Sequence, residues 1–265
     1  MDPIREQNRQ TWDRLAEEAY PLARPAGEKE INNPQFITNP WGWIGSDVAG
    51  KRVLCLAAGG AKHSVLFALA GAETTVIDLS PAMLELDRRA ARERNLKIRI
   101  IEGSMDDMPM LNAAEFDIVI QPVSTCYVPD LLSVYREVAR VLKPQGLYIS
   151  QHKQPQSLQA ALRPIGVRYL IQERYYQSGP LPLISGVNPV REAGAQEFLH
   201  RWDDLLGGLC KSGFIIEDVQ EPRHADFNAA AGTFKHRCCY LPPYIAFKAR
   251  RRDEPTPTAR QIILP

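Results

Sequence analysis

The sequence predicts a doubly wound α/β fold, and two observations carry that prediction. From residue 51 onward, short runs that are apolar along their whole length recur, and each is followed by a segment of helical spacing. Continuously apolar strands of this kind belong to parallel sheets covered on both faces. Right-handed crossovers then wind helices onto both sides of the sheet.

The elements follow in order. Residues 4–19 have helical spacing, with Ile4, Trp12, Leu15 and Ala16 apolar among charges. Residues 20–50 carry Pro21, Pro25, Gly27, Pro34, Pro40 and Gly42, which break regular structure, and Trp41 and Trp43 there are expected to pack onto the main domain. Residues 52–57 (RVLCLA) read as a buried strand, and Gly59-Gly60 turns the chain into a helix over 62–70. Residues 74–79 (TTVIDL) form the second strand, and Ser80-Pro81 caps and opens a helix running to about residue 93. Strands follow at 98–102 and 116–121. Asp130 opens a helix whose face is Leu131, Val134, Tyr135, Val138, Val141 and Leu142. The turn Lys143-Pro144-Gln145-Gly146 leads into a fifth strand over 147–152. Residues 196–210 read as a helix, and 213–219 and 244–250 as two further strands.

Composition excludes several classes. Among 265 residues, 32 Lys and Arg face 31 Asp and Glu, a net charge of +1 that argues against a broad nucleic-acid surface. The longest strongly apolar stretch, around residues 64–72, is far short of a membrane span. The N-terminus lacks a basic-then-apolar leader pattern. The five cysteines, at 55, 126, 210, 238 and 239, are odd in number and form no CxxC pair, which points to a reducing, cytoplasmic setting. His236, Cys238 and Cys239 resemble a metal cluster only briefly. On a strand, adjacent cysteines face opposite ways, so no metal site is expected.

Chemistry-bearing residues fall at three successive strand ends. Gly59 and Gly60 follow the first strand and allow close approach to the backbone ahead of a helix N-terminus. Asp78 ends the second strand, about 20 residues on, where nucleotide-binding folds grip ribose hydroxyls. The third strand ends in GSMDDMP, with Asp106 and Asp107 able to accept from an amino group.

With these residues in place, the chain resembles the class I S-adenosylmethionine-dependent methyltransferases, and within them a bacterial subgroup acting on small molecules. The likeness spans roughly residues 51–152 and rests on VLCLAAGG, VIDLSPAML, IEGSMDDMPML, FDIVIQPVS and REVARVLKPQGLYIS. It implies a Rossmann-like doubly wound seven-stranded mixed sheet with helices on both faces, an N-terminal helical segment and a lid insertion. The expected organisation is an N-terminal helix and cofactor-covering loop (1–50), a methyltransferase domain (51–250) with a lid over 153–196, and a tail (251–265). S-adenosyl-L-methionine is the implied cofactor, with S-adenosyl-L-homocysteine as product. The resemblance sets Ala57, Ala58, Gly59 and Gly60 along the methionine end, Asp78 on the ribose, and Leu79 against adenine. It sets Met105 and Asp106 on the adenine edge, and Gln121, Pro122 and Val123 under the sulfonium. His63, Met83 and Ser104 complete the expected cofactor set.

The sequence departs from the family where Cys55 replaces an acid, where Ala57 and Ala61 replace glycines, where Ser104 stands for a frequent Asp, and where Gln145 replaces a glycine. Methyl transfer is an in-line displacement needing alignment and a water-poor pocket. A base serves it when the acceptor must lose a proton; His152, His63 and His224 are candidates by titration range. His152 and Tyr20 are carried as the catalytic candidates, and Tyr20 is placed to cover the cofactor. Tyr127, Tyr169, Tyr175, Tyr176 and His224 are carried as acceptor-site candidates, the middle three on the expected lid. The expected partner is a small-molecule substrate, with neither nucleic acid nor membrane, and the oligomeric state is left open. Two rival readings are a nicotinamide-dependent oxidoreductase, which shares the glycine turn and the Asp78 spacing but lacks GxGxxG, and a non-catalytic binding protein with an eroded site.

Overall fold

The structure is a computed structural model and describes residues 2–45, 47–166 and 168–253. Of the tail expected over 251–265, residues 254–265 lie outside the described residues. Helix α1 (Pro3–Glu17) leads, its N-terminus capped by Asp2. A turn at Pro21–Ala23 and short helices α2 (Glu28–Asn32) and α3 (Gln35–Thr38) follow. Alternation then begins: β1 (Arg52–Leu56), α4 (His63–Leu69), β2 (Glu73–Asp78), α5 (Pro81–Glu93), β3 (Ile98–Glu102), β4 (Phe116–Gln121), α6 (Leu131–Val141) and β5 (Leu142–Lys153). Helix α7 (Pro155–Gln159) opens the insertion. A π-turn at Asp203–Gly207, α8 (Gly208–Lys211), β6 (Phe214–Gln220), α9 (Phe234–Arg237) and β7 (Tyr244–Arg251) complete the described chain.

Among the described residues the sheet has seven strands in the order β3-β2-β1-β4-β5-β7-β6. The first five run parallel, and β7 lies antiparallel between β5 and β6. The strand order reverses between β1 and β4, so the crevice for a ligand opens at the carboxyl ends of those two strands. Both faces are covered. On one, Leu54, Leu56, Val119, Tyr148 and Phe247 pack under Val134, Tyr135 and Val138 of α6. On the other, Val53, Cys55, Val76 and Ile120 pack with Phe67 of α4 and Leu84 of α5. The side-chain period of two in β1 therefore places Cys55 on the α4/α5 side.

Three expected elements differ. The turn at 143–146 is an irregularity inside a longer β5, where the pairing shifts between Phe116 and Ile118. Gln145 holds φ 60° there, and a Cβ on Gly146 would meet the Lys143 carbonyl at 2.7 Å, so only the second position demands glycine sterically. Gln145→Gly should raise stability by about 0.5–1 kcal/mol in urea unfolding by relieving the left-handed backbone. A loss of stability would mean that its side-chain bond to Asp253 matters more.

Residues 196–201 are irregular rather than helical, because their polar groups are used across the chain. The Gln196 amide donates to Asn8 Oδ1 at 2.7 Å, and the Phe198 amide donates to the Cys126 carbonyl at 2.7 Å. Finally, the segment holding His236 is the short helix α9, not a strand; Thr233 caps it through the His236 amide. The argument from strand faces at Cys238 and Cys239 therefore falls, and the thiols belong to a helix end and turn. Among the described residues no group of three metal-ligating side chains gathers.

Candidate active site

A cavity of about 350 Å³ lies at the β1/β4 switch point, where doubly wound sheets hold ligands. Its floor is the turn after β1. Ala58 and Gly59 line it, with Ala57 at φ 46°. A Cβ on Gly59 would sit 2.9 Å from Met83 Cβ and 3.0 Å from Asp78 Cβ, so α5 and β2 press on a position that must be glycine. Ala57 and Ala61, at φ 46° and 58°, hold the left-handed conformation that glycine takes without strain. The departures at these positions thus keep the turn's shape at a cost of about 1 kcal/mol each.

The strand ends supply the polar groups. Asp78 Oδ2 accepts the Gly59 amide at 2.8 Å and Oδ1 accepts the Ser80 amide at 2.9 Å. Burial pushes the Asp78 carboxyl up, and these amides pull it back. Leu79, Met83, Ser104 and Met105 form the wall beside it. Pro122 and Val123, after β4, face the opposite side. His63 lines the cavity and is held down to about 4 by the enclosed surroundings and then by Lys62, so it is neutral near pH 7.

Helix α1 closes the top. Arg5, Asn8, Arg9 and Trp12 reach the cavity. Arg5 pairs with Asp106 at 2.9 Å, and Asp13 accepts both Ser80 Oγ at 2.6 Å and the Ala82 amide at 3.1 Å at the start of α5. Asp106 therefore stays off the wall, its carboxylate taken up by Arg5 and Ser104. Leu22, not Tyr20, forms the covering contact of the following loop; Tyr20 stays off the wall.

The far end is polar and fixed. Lys153, at the end of β5, donates to Glu192 at 2.7 Å and Glu197 at 3.0 Å. Burial opposes its charge, but the two carboxylates outweigh it and raise its pKa. The Tyr127 hydroxyl donates to Glu192 at 2.6 Å, and its ring packs edge-on against Trp12. His224 and Tyr244 complete this end. The His224 Nε2 is buried without a hydrogen-bond partner, and burial lowers the ring's pKa.

The structure therefore gathers Ala57, Ala58, Gly59, His63, Asp78, Leu79, Met83, Ser104, Met105, Pro122, Val123, Tyr127 and His224 around one cavity. Gly60 and Gln121 lie just behind it. Gln121 is buried and bonded to Ser124 and Tyr148. His152 is a correction. It is fully buried away from the cavity, with Nδ1 on Thr125 Oγ1 and Nε2 on Ser150 Oγ, both at 2.8 Å. A ring with both nitrogens engaged has no place for a substrate proton. Tyr169, Tyr175 and Tyr176 also stay off the wall: Tyr169 bonds His236, Tyr175 packs beside Leu158 and Leu181, and Tyr176 is exposed. Sequence reasoning missed the α1 residues and the Lys153–Glu192 pair, whose signal was two acids and a lysine in otherwise buried surroundings.

Burial holds His152 down to about 3, with the charge of His200 adding to it. Its unfolded value is near 6.5, so the unfolded chain takes up a proton first as pH falls. The stability this group contributes is complete above pH 6.5 and is lost on acidification toward pH 3, at about 1.4 kcal/mol per pH unit. His152→Gln should cost stability at pH 8 and lose about 2–3 kcal/mol less than the wild type between pH 6.5 and 4.5. Parallel pH profiles in urea unfolding would contradict that assignment.

Comparison with known proteins agrees with this geometry. A family model described as "Methyltransferase domain" matches residues 54–150. The chain is similar to the uncharacterized methyltransferase YbaJ of Bacillus subtilis (strain 168), 34% identical over 215 residues, covering 80% of this chain and 84% of that one. It is also similar to the ubiquinone biosynthesis O-methyltransferase of Xanthomonas oryzae pv. oryzae (strain PXO99A), 32% identical over 126 residues, but spans only 52% of that protein's length. Among solved structures, an S-adenosylmethionine dependent methyltransferase from Mesorhizobium loti superposes with a TM-score of 0.63 at 25% identity, over 78% of this chain and 93% of that one. The glycine turn at the switch point, the acid closing β2 and a relative matched over most of its length converge: the chain belongs to the class I S-adenosylmethionine-dependent methyltransferases.

Proposed function

We propose that this methyltransferase acts on a small molecule held between Pro122-Val123 and the Lys153–Glu192–His224–Tyr244 end of the cavity. The observation that carries the reading is enclosure: α1 and Leu22 roof a cavity of about 350 Å³, within the range of small-molecule sites. The donor brings a methyl group on a sulfonium, which leaves with the S–CH₃ bond electrons staying on sulfur. Everything else falls to the chain. Asp78 would hold the ribose hydroxyls, Leu79, Ser104 and Met105 the adenine, and the Ala57–Gly59 turn the amino-acid end. The roof excludes water, and the walls align the acceptor. His224, on the cavity wall with its pKa lowered by burial, would take a proton from a hydroxyl acceptor.

The test is transfer from S-adenosylmethionine carrying a deuterated methyl to a panel of small phenols, amines and carboxylic acids, read by mass spectrometry. The label should appear on a small molecule; label found only on protein or nucleic acid would overturn the reading.

We also propose a domain-level role for residues 153–196. Residues 190–197 are docked, with Gln7, Thr11 and Arg14 of α1 bonded to Ala193 and Gly194, whereas Ile165, Ile171, Leu183 and Val187 are exposed. The lid role would fall to the exposed stretches of this segment, with Leu181 as a buried anchor. Hydrogen exchange there should be fast in the free protein and slower with S-adenosylhomocysteine. Strong protection in both states would make it a rigid cover. Among the described residues no helix is long and apolar enough to cross a membrane.

A further inference from the structure

Asp87 lies on α5 beneath the glycine turn, fully buried, and plays no part in the chemistry above. Its Oδ2 accepts the Gly60 amide at 2.8 Å, the shorter branch of a bond shared with the Met83 carbonyl at 3.1 Å; its Oδ1 accepts the Ser64 hydroxyl at the start of α4, and the Ala61 amide also faces it. Among the described residues no lysine, arginine or histidine pairs with it. Buried carboxylates normally have a cation or several donors; this one relies on donors alone, and burial pushes it up to about 6 against their pull.

The consequence for the cavity follows from peptide geometry. In a trans peptide the N–H of one residue and the C=O of the preceding one point in opposite directions, and no described peptide bond is cis. With the Gly60 amide drawn down to Asp87, the Gly59 carbonyl is turned away from Asp87, on a residue that lines the cavity. The Gly59 amide is drawn to Asp78, which itself lines the cavity, so this second amide is also taken up. A phosphate site needs the reverse, free amides facing the ligand. Here amides are consumed by two carboxylates, Asp78 and Asp87, whose charges oppose an anion and favour a cation.

We propose that Asp87 is a specificity-determining positioning residue: by holding the Gly60 and Ala61 amides it presents the Gly59 carbonyl to the cavity, and so selects the ammonium end of the methyl donor over a phosphate. The inference rests on this cavity being the donor site.

The test compares two probes by calorimetry: S-adenosylhomocysteine and its deaminated analogue, which lacks only the ammonium. The wild type should favour the aminated ligand by about tenfold or more, one charge-assisted hydrogen bond's worth. Asp87→Asn, which turns an amide toward the same donors, should bring that preference below about threefold, with the deaminated analogue binding nearly as in the wild type. A merely structural lesion would weaken both ligands together and leave the ratio intact, which would overturn the proposal. Should Asp87→Asn fail to fold, Asp87→Glu keeps a carboxylate on α5 but carries it one methylene off the Gly60 amide, and should also lower the preference; an unchanged ratio there overturns it too. Absence of any wild-type binding would overturn the donor-site reading along with this one, whereas an unchanged preference in the variants overturns this one alone.

Discussion

Lys153→Met should destabilise the fold by about 3–5 kcal/mol, the largest stability effect expected of any single substitution at the cavity. The lysine is buried and donates to Glu192 at 2.7 Å and Glu197 at 3.0 Å, and its charge lies over the Tyr127 ring. Methionine matches the stem but leaves two buried carboxylates with Arg191, 3.4 Å from Glu197, and the Tyr127 hydroxyl on Glu192 in support. Burial already pushes the Glu197 carboxyl up, so without Lys153 it would hold a proton more readily. The deficit should therefore shrink as pH falls from 7 toward 5, because protonation removes the uncompensated charge. Urea unfolding at both pH values checks this. A deficit that does not change with pH would mean that lost packing, not charge, is responsible.

Asp78→Ala should weaken S-adenosylhomocysteine binding by about 1.5–3 kcal/mol, roughly 10- to 150-fold. The carboxylate has two duties. It anchors the Gly59 and Ser80 amides, which set the turn and the start of α5, and its remaining lone pairs face the cavity where ribose hydroxyls would lie. Asp106→Asn should cost less, since Asp106 is held off the wall by Arg5 and Ser104. An Asp78→Ala affinity within about twofold of the wild type, read by calorimetry, would remove Asp78 from the site.

What the chain's sequence made legible was local. Whole-length apolar strands, the Ser80 cap, the Asp130 cap and the acid ending β2 follow from short-range rules and reappear in the structure. The cavity floor was readable for the same reason, because it is built from consecutive strand ends. The roof was not. Helix α1 joins the site through Arg5–Asp106, Asp13–Ser80 and Asn8–Gln196, pairs up to 188 residues apart that no periodicity connects. His152 misled because its position at the end of β5 is right for a catalytic group, while the side-chain period sends it into the α6 face beside Tyr135 and Phe247. Lys153, one residue on, points the other way and reaches the cavity. The expected helix over 196–210 failed in its first turn, where tertiary hydrogen bonds to Asn8 and Cys126 took the backbone groups that a helix would have used.

The central claim is that the β1/β4 cavity binds a cationic methyl donor rather than a dinucleotide. Calorimetric titration of the wild-type protein with S-adenosylhomocysteine and, separately, with NADH tests it most directly. The account predicts saturable heat with the first at one ligand per chain and none with the second, since the amides a pyrophosphate needs are held by Asp78 and Asp87. Binding of NADH with no heat from S-adenosylhomocysteine would contradict it.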